Sequence, residues 1–450
     1  FNYNAYLANI EELYLQFGGG IRKHVFGVRR FAHFAYVNST NKPVGLFLMG
    51  KGIRESSTNS TTFDGAGTRK SPSRYALSHI PSYGQPSSDI SITAGLEGTS
   101  NYTPLIPTGR ISVRDNQELQ DYLNKVQVYE ENQNQNDIYD TPNKDWQKHV
   151  MHFAGGVNAG EQTQFQSYMN AMSNTISDSL FGAYVHKIYK TSSNPLDPTL
   201  LAEVTDRISD GLSLMSYFGH ATGTNSGFEI NLDDPVNWDN EGKYPVMFVN
   251  SCYNGNVFQE TASKAEEFVQ VADYGAIAYI ATVSLGLSGQ LNQYAQRFYN
   301  GLSRDNYGQS LGEIMMNSTS QLETLYPGNL SIETICTQMV LNGDPMLKLN
   351  WHTAPEIELT PDDISFSPNT FDLTIDSIEM QIVLTNLGVS ITDTFQVEVT
   401  RHFPQNGIDS TYQFYIPKLD YSDTLRFKMP LQANISIGVN SFDVRIDLPS

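Results

Sequence analysis

A chain of 450 residues is about three typical domains long, so two or three domains are expected. With 28 basic against 48 acidic residues the net charge is −20, and no Lys/Arg-rich stretch is present to neutralise phosphates, which excludes a nucleic-acid binder. Hydrophobic residues make up 39%, enough for packed cores, yet the longest apolar stretches (244–249 and 276–283) fall far short of the roughly 20 residues of a spanning helix, so no transmembrane segment is expected.

The first predicted element is a helix over 3–17. It leaves no room for a signal peptide, so the chain reads as the inside of a longer polypeptide. From there to about residue 349 apolar strands alternate with loops and helices. Strands are predicted over 44–49, 150–153, 185–189, 212–218, 246–249 and 276–281, and helices over 116–130, 161–173, 262–272 and 331–341. Short apolar runs between helical patterns are the mark of buried strands in a parallel α/β sheet. In the third helix Ala265, Phe268, Val269 and Ala272 form a core-packing face. Residues 54–101, rich in Ser, Thr, Gly and Pro, read as a long irregular insertion, and the polar stretch 131–143 as a join between two halves. After Trp351 the pattern changes to short alternating segments (379–385, 395–400, 412–416, 424–428 and 439–446), which predicts an immunoglobulin-like β-sandwich. The expected division is 1–140, 141–352 and 353–450.

Two loops stand out because each begins where a buried strand ends. One is Gly219-His220-Ala221-Thr222-Gly223, and the other is Asn250-Ser251-Cys252-Tyr253-Asn254-Gly255. Ligands of open α/β sheets bind beyond the carboxyl ends of strands, so His220 and Cys252 are expected to share one crevice. A thiolate is the nucleophile of cysteine chemistry, and a neighbouring imidazole stabilises it and then donates a proton. A lone cysteine or histidine in such a place is more often structural; it is the matched pair that points to catalysis. Cys336 shares a helical face with Ile332, Ile335, Met339 and Val340, and is expected in the core. With only two cysteines, a single bridge between them is the other possibility. The acidic loop with Asp233, Asp234, Asp239 and Glu241 is a candidate for structural calcium, or simply a solvated loop. His149 and His152 read as structural, and Arg110 as a residue that ties loops together.

Tyr217-Phe218-Gly219-His220 followed by Asn250-Ser251-Cys252 resembles the His-Gly and Cys loops of the gingipain-like cysteine peptidases. Ser88-Asp89, Gly109-Arg110-Ile111, Tyr129-Glu130, Ala265-Glu266, Gly275-Ala276-Ile277-Ala278 and Asn342-Gly343-Asp344-Pro345-Met346-Leu347 follow in family order over residues 10–350. The segment Glu12-Leu13-Tyr14-Leu15-Gln16-Phe17-Gly18 with Val28-Arg29-Arg30-Phe31 is similar to the sortase-type branch of the type IX secretion system. Such sortases remove a C-terminal signal from cargo and attach the cargo to cell-surface lipopolysaccharide.

The resemblance implies a caspase-like fold of two subdomains, whose first strand would lie upstream of this chain. It implies Cys252 as nucleophile, His220 as general acid/base, and the N–H groups of Ala221 and Cys252 as oxyanion donors. No cofactor is required. The implied partners are a protein or peptide substrate and outer-membrane secretion proteins, on the extracellular face. A non-catalytic scaffold of the same fold, and a secreted cargo protein, are the alternatives. Three departures stand out. Ala221 replaces the family's glycine. No acid precedes Gly155-Gly156, which leaves Glu161 as the nearest supporting carboxylate. Thr163 falls where arginine-specific members hold an Asp, so the substrate pocket is expected to take small or polar residues rather than Arg or Lys.

Overall fold

The computed structural model describes residues 3–54, 68–134, 140–192, 198–222, 227–230, 232–370, 374–404, 407–432 and 435–448. The chain divides into two compact units. One comprises residues 1–136, 149–175 and 185–350; the other comprises 137–148, 176–184 and 351–450.

The first unit is built on an eight-stranded sheet. Its strands are β1 (Leu46–Met49), β2 (Thr108–Ile111), β3 (His149–Ala154), β4 (Tyr184–Tyr189), β5 (Leu214–Phe218), β8 (Val246–Asn250), β9 (Ala278–Thr282) and β10 (Met339–Asn342). A two-residue ladder of β6 (Ala221–Thr222) and β7 (Gly227–Phe228) stands apart. The sheet order is β1-β2-β10-β9-β8-β5-β3-β4. β1, β2 and β10 are parallel to one another, as are β9, β8, β5 and β3, and the two blocks meet at an antiparallel seam between β9 and β10. Both faces of the second block are covered: every residue of β5, β8 and β9 is buried. Met151, Phe153, Met215, Tyr217, Met247, Val249, Tyr279 and Ala281 alternate onto one core. On the opposite face Phe248 stacks on Phe298 at 4.5 Å. Two-sided burial explains why these strands read as unbroken apolar runs.

Two strands of this eight-stranded sheet, β2 and β10, were not expected. β10 was read as the end of a helix over 331–341; that helix spans Leu330–Gln338, and Met339–Asn342 leave it to pair with β9. Seam pairing and full burial of all four residues outweigh the helical spacing. β2 was read only as a motif before a helix. The N-terminal helix is also shorter than expected, Ile10–Gln16, with Asn9 capping Glu11 N–H.

Several family landmarks are scaffold. Arg110, on β2, is fully buried and grips Asp89 with two hydrogen bonds (Nε–Oδ2 2.9 Å, Nη2–Oδ1 2.7 Å) while donating to the carbonyls of Gly50 and Ile80. Glu266 closes a capping box with Ser263 and holds the buried Lys51 ammonium. Asn342 accepts from Ser112 N–H and donates to Ala265 O.

In the second unit, β13 (Ser377–Asn386) pairs with β11 (Ile357–Glu358) and β12 (Ile364–Ser367) on one edge and with β16 (Ser422–Pro430) on the other. β14 (Phe395–His402) lies between β15 (Asp409–Ile416) and β17 (Ser441–Asp447). Ile378, Met380, Ile382 and Leu384 of the first sheet share a core with Phe395, Val397 and Val399 of the second, which is the expected sandwich pattern.

His152 sits at the centre of β3, fully buried, with Nδ1 2.8 Å from Ser173 Oγ and Nε2 2.7 Å from the Tyr299 hydroxyl. Burial pushes its imidazole down from 6.5 to about 3. Between those values the unfolded chain binds a proton that the folded chain does not, so stability falls as pH falls, by up to about 1.4 kcal/mol per pH unit. Urea unfolding across that window should show a shallower acid slope for His152→Gln than for the parent; an unchanged slope would remove His152 as a source of acid sensitivity.

Candidate functional site

Phe218 ends β5 and is paired in register with Asn250, which ends β8. On the far side Phe218 is paired with Ala154, the end of β3. Neighbouring strands lie about 4.8 Å apart, so three chain exits stand side by side at one edge of the sheet. His220 lies two residues past the middle exit and Cys252 two residues past the next; Gly219 N–H still donates to Asn250 O (3.3 Å). The loop after β3 turns through Gly155-Gly156, where Gly156 has φ +120, a value L side chains rarely adopt. It then enters the helix Ala159–Ser177, which carries Glu161 in its first turn.

The His220 imidazole is about half exposed, and its Nε2 lies 3.2 Å from Glu161 Oε2. The same carboxylate oxygen accepts Val157 N–H at 3.0 Å. The Val157 N–H, and then the imidazole, hold the Glu161 carboxyl below its ordinary 4.5. The pair is therefore intact above that value and is lost as pH falls through the lowered one. Phe165 packs edge-on against the imidazole at 5.7 Å. With Nε2–H directed at a carboxylate, Nδ1 is left as the basic nitrogen.

Cys252 is partly exposed and carries a free thiol. Its Sγ accepts Gly286 N–H at 3.4 Å and lies 3.7 Å from Gly286 O, on the loop that follows β9. Tyr253 next to it has φ +59 and gives its N–H to Ser284 O, and Thr282 Oγ1 donates to Ser251 O. Among the described residues the Cys252 N–H takes no carbonyl partner outside the regular ladders. Ala221 opens β6 opposite Phe228. Cys336 is also free and is buried in the helix Leu330–Gln338, where burial pushes its thiol up to about 12.

Other expected residues take different places. Thr163 is exposed and donates to Ala159 O one turn back in its own helix. Asp233 accepts from Asp234 N–H and from Asn237 Nδ2, while Asp234 caps Val236 N–H. Asp239 N–H goes to Ser209 Oγ. Among the described residues no group of three or more His, Cys, Asp or Glu side chains is arranged to hold a metal ion.

One acid at the site was missed. Glu229, just after β7, has a side chain only 2% exposed. Its Oε2 accepts His220 N–H at 3.0 Å and Gly156 N–H at 2.8 Å. The signal was present in Gly227-Phe228-Glu229-Ile230, a single carboxylate between apolar neighbours, which is costly to bury unless it is hydrogen-bonded.

The profile of peptidase family C25 matches residues 2–350. Among solved structures, the Arg-specific cysteine proteinase gingipain R is similar at 16% identity, with a TM-score of 0.53 over 87% of this chain and 80% of that one. The complex of the pro- and mature domains of RgpB from Porphyromonas gingivalis is similar at 14% identity, with a TM-score of 0.53 over 93% of this chain and 89% of that one. At these identities the likeness is one of fold. No curated protein matches the chain.

Glu161→Gln keeps the shape of the side chain but removes the charge that orients His220. It should lower Cys252-dependent turnover by about 10- to 100-fold while leaving the melting temperature nearly unchanged, because the side chain is about one-third exposed. Kinetics with parallel thermal melts check this; unchanged turnover would remove Glu161 from the site.

Proposed function

Because the chain belongs to peptidase family C25, we propose that it is a cysteine peptidase in which Cys252 attacks a peptide carbonyl and His220 carries the proton. The observation that carries this reading is the Glu161–His220 contact at 3.2 Å, in the loop next to that of Cys252. It supplies the orienting carboxylate that the residue before Gly155-Gly156 does not.

The steps follow from the groups present. The Cys252 thiol gives its proton to His220 Nδ1, and the sulfur forms a bond to the substrate carbonyl carbon. The oxyanion is met by the N–H groups of Cys252 and Ala221. Collapse breaks the C–N bond as the imidazolium returns its proton to the departing amine. A thioester remains on Cys252. Water, or an acceptor amine, attacks it while His220 takes the incoming proton, and the free thiol is restored.

Specificity for an uncharged residue before the scissile bond is part of this reading. Thr163 brings no carboxylate, and burying an unpaired Lys or Arg is costly. Gly286, in contact with the thiol, is flanked by Leu285 and Leu287, which are 62% and 56% exposed and offer apolar surface. The resemblance of residues 12–18 and 28–31 to sortases supports a finer assignment. There the chain acts on C-terminal signals of type IX cargo at the outer-membrane surface, alongside secretion-system proteins, and passes the acyl group to an amine. Among the described residues no helix is long and apolar enough to cross a membrane.

Digestion of a mixed peptide library, with and without glycinamide as acceptor, tests these claims. Cleavage after uncharged residues is expected, with amide adducts when the acceptor is present, and Cys252→Ala should reduce both by at least about 10³-fold. A preference for Arg or Lys would contradict the specificity. Cleavage retained by Cys252→Ala would contradict the nucleophile.

A further inference from the structure

Among the described residues the His220 side chain meets one hydrogen-bonding partner, Glu161, packs edge-on against Phe165, and is half exposed. A half-exposed ring with one hydrogen bond and one edge-on ring contact depends on the backbone that carries it for its placement. Both polar groups of the His220 backbone are taken by buried side chains. Its N–H donates to Glu229 Oε2 (3.0 Å), and its carbonyl accepts from the Tyr217 hydroxyl (2.8 Å). The two side chains are joined in turn: Glu229 N–H donates to the Tyr217 oxygen at 3.2 Å, and that oxygen lies 3.4 Å from Glu229 Oε2.

Glu229 Oε2 also accepts Gly156 N–H (2.8 Å), at the start of the loop that leads to Glu161. One carboxylate oxygen therefore ties the backbone carrying the imidazole to the backbone leading to its acid. Lys190 Nζ, 3.7 Å from Oε1, balances the charge. Room for the carboxylate comes from two glycines, since a Cβ at Gly155 would strike Glu229 Oε2 and one at Gly219 would strike the Tyr217 hydroxyl. Burial pushes the Tyr217 phenol up, so it remains a proton donor at every working pH. The clamp reaches one residue further. In a trans peptide the C=O and the following N–H point in opposite directions, so holding His220 C=O also sets the direction of Ala221 N–H.

We infer that Glu229 and Tyr217 are positioning residues that hold the His220 backbone from both sides and set the imidazole against Glu161 and Cys252. The inference rests on the reading of His220 as the proton carrier for Cys252, and its test separates the two. The probe is iodoacetamide, with adducts at Cys252 and Cys336 resolved by peptide mapping, applied to the intact chain. Variants are His220→Ala, Tyr217→Phe, Glu229→Gln and Glu229→Ala, each shown folded by thermal melting. Tyr217→Phe removes one oxygen, and Glu229→Gln keeps a neutral acceptor, so these two carry the test if Glu229→Ala does not fold.

At neutral pH His220→Ala should slow Cys252 alkylation about tenfold, because the imidazole no longer favours the thiolate. Tyr217→Phe and Glu229→Ala should each slow it at least about threefold, with Glu229→Gln between Glu229→Ala and the parent. Near pH 10, above the roughly 8.5 of an ordinary thiol, all should react at the parent rate. If His220→Ala slows the reaction and the Tyr217 and Glu229 variants do not, the positioning role is overturned and the proton carrier stands. Slowing that persists near pH 10 marks a merely structural role and also overturns it. If His220→Ala itself reacts like the parent, the proton carrier is overturned and the positioning role falls with it.

Discussion

The parallel register of β3, β5, β8 and β9 is the constraint on which the site depends. Ala154 faces Phe218, Phe218 faces Asn250, and Val249 faces Ala281, so four strands end together at one edge. The exits deliver, in spatial order, the Gly155-Gly156 turn toward Glu161, the His220 loop, the Cys252 loop and the loop with Gly286. A one-residue slip in any pairing would move a side chain of the site along the strand by about 3.3 Å and turn it to the other face. The buried alternation on both faces of the sheet is what prevents such a slip.

Charge is placed at this edge with unequal burial. Glu161 and His220 are partly exposed, so both are within reach of solvent. Glu229 is buried, with Oε2 accepting the Gly156 and His220 N–H groups and Lys190 Nζ 3.7 Å from Oε1, which suits a carboxylate that does not move. The family's acid position before Gly155-Gly156 holds Ala154 here, and the space beside the glycines holds Glu229 from a different element. The two acids divide the work: Glu161 faces the ring and Glu229 faces the backbone.

The sequence showed the second parallel block well because strands buried on both faces leave long apolar runs that no loop imitates. The His220 and Cys252 loops were legible for the same reason, since each follows such a run. β10 was hidden because Met339 and Val340 continue the helical spacing of Ile332, Ile335 and Cys336, and only the pairing with β9 ends the helix. β2 was hidden because Gly109 and Arg110 break its apolar pattern; the arginine is buried only because Asp89, distant in sequence, neutralises it. The Glu161 contact was accessible as proximity in sequence to the glycine turn. Glu229 was not recognised, because the apolar neighbours mark it as buried but its partners, the Gly156 and His220 N–H groups and Lys190, come from other loops that its local pattern does not name.

Bridging by 1,3-dibromoacetone measures the central claim, that Cys252 and His220 act across one crevice. The reagent alkylates a thiolate first and then closes on an imidazole within its short span. The account predicts a single three-carbon cross-link between the Cys252 and His220 peptides, absent from His220→Ala. Alkylation of Cys252 that never closes on His220, or that closes on another histidine, would contradict it.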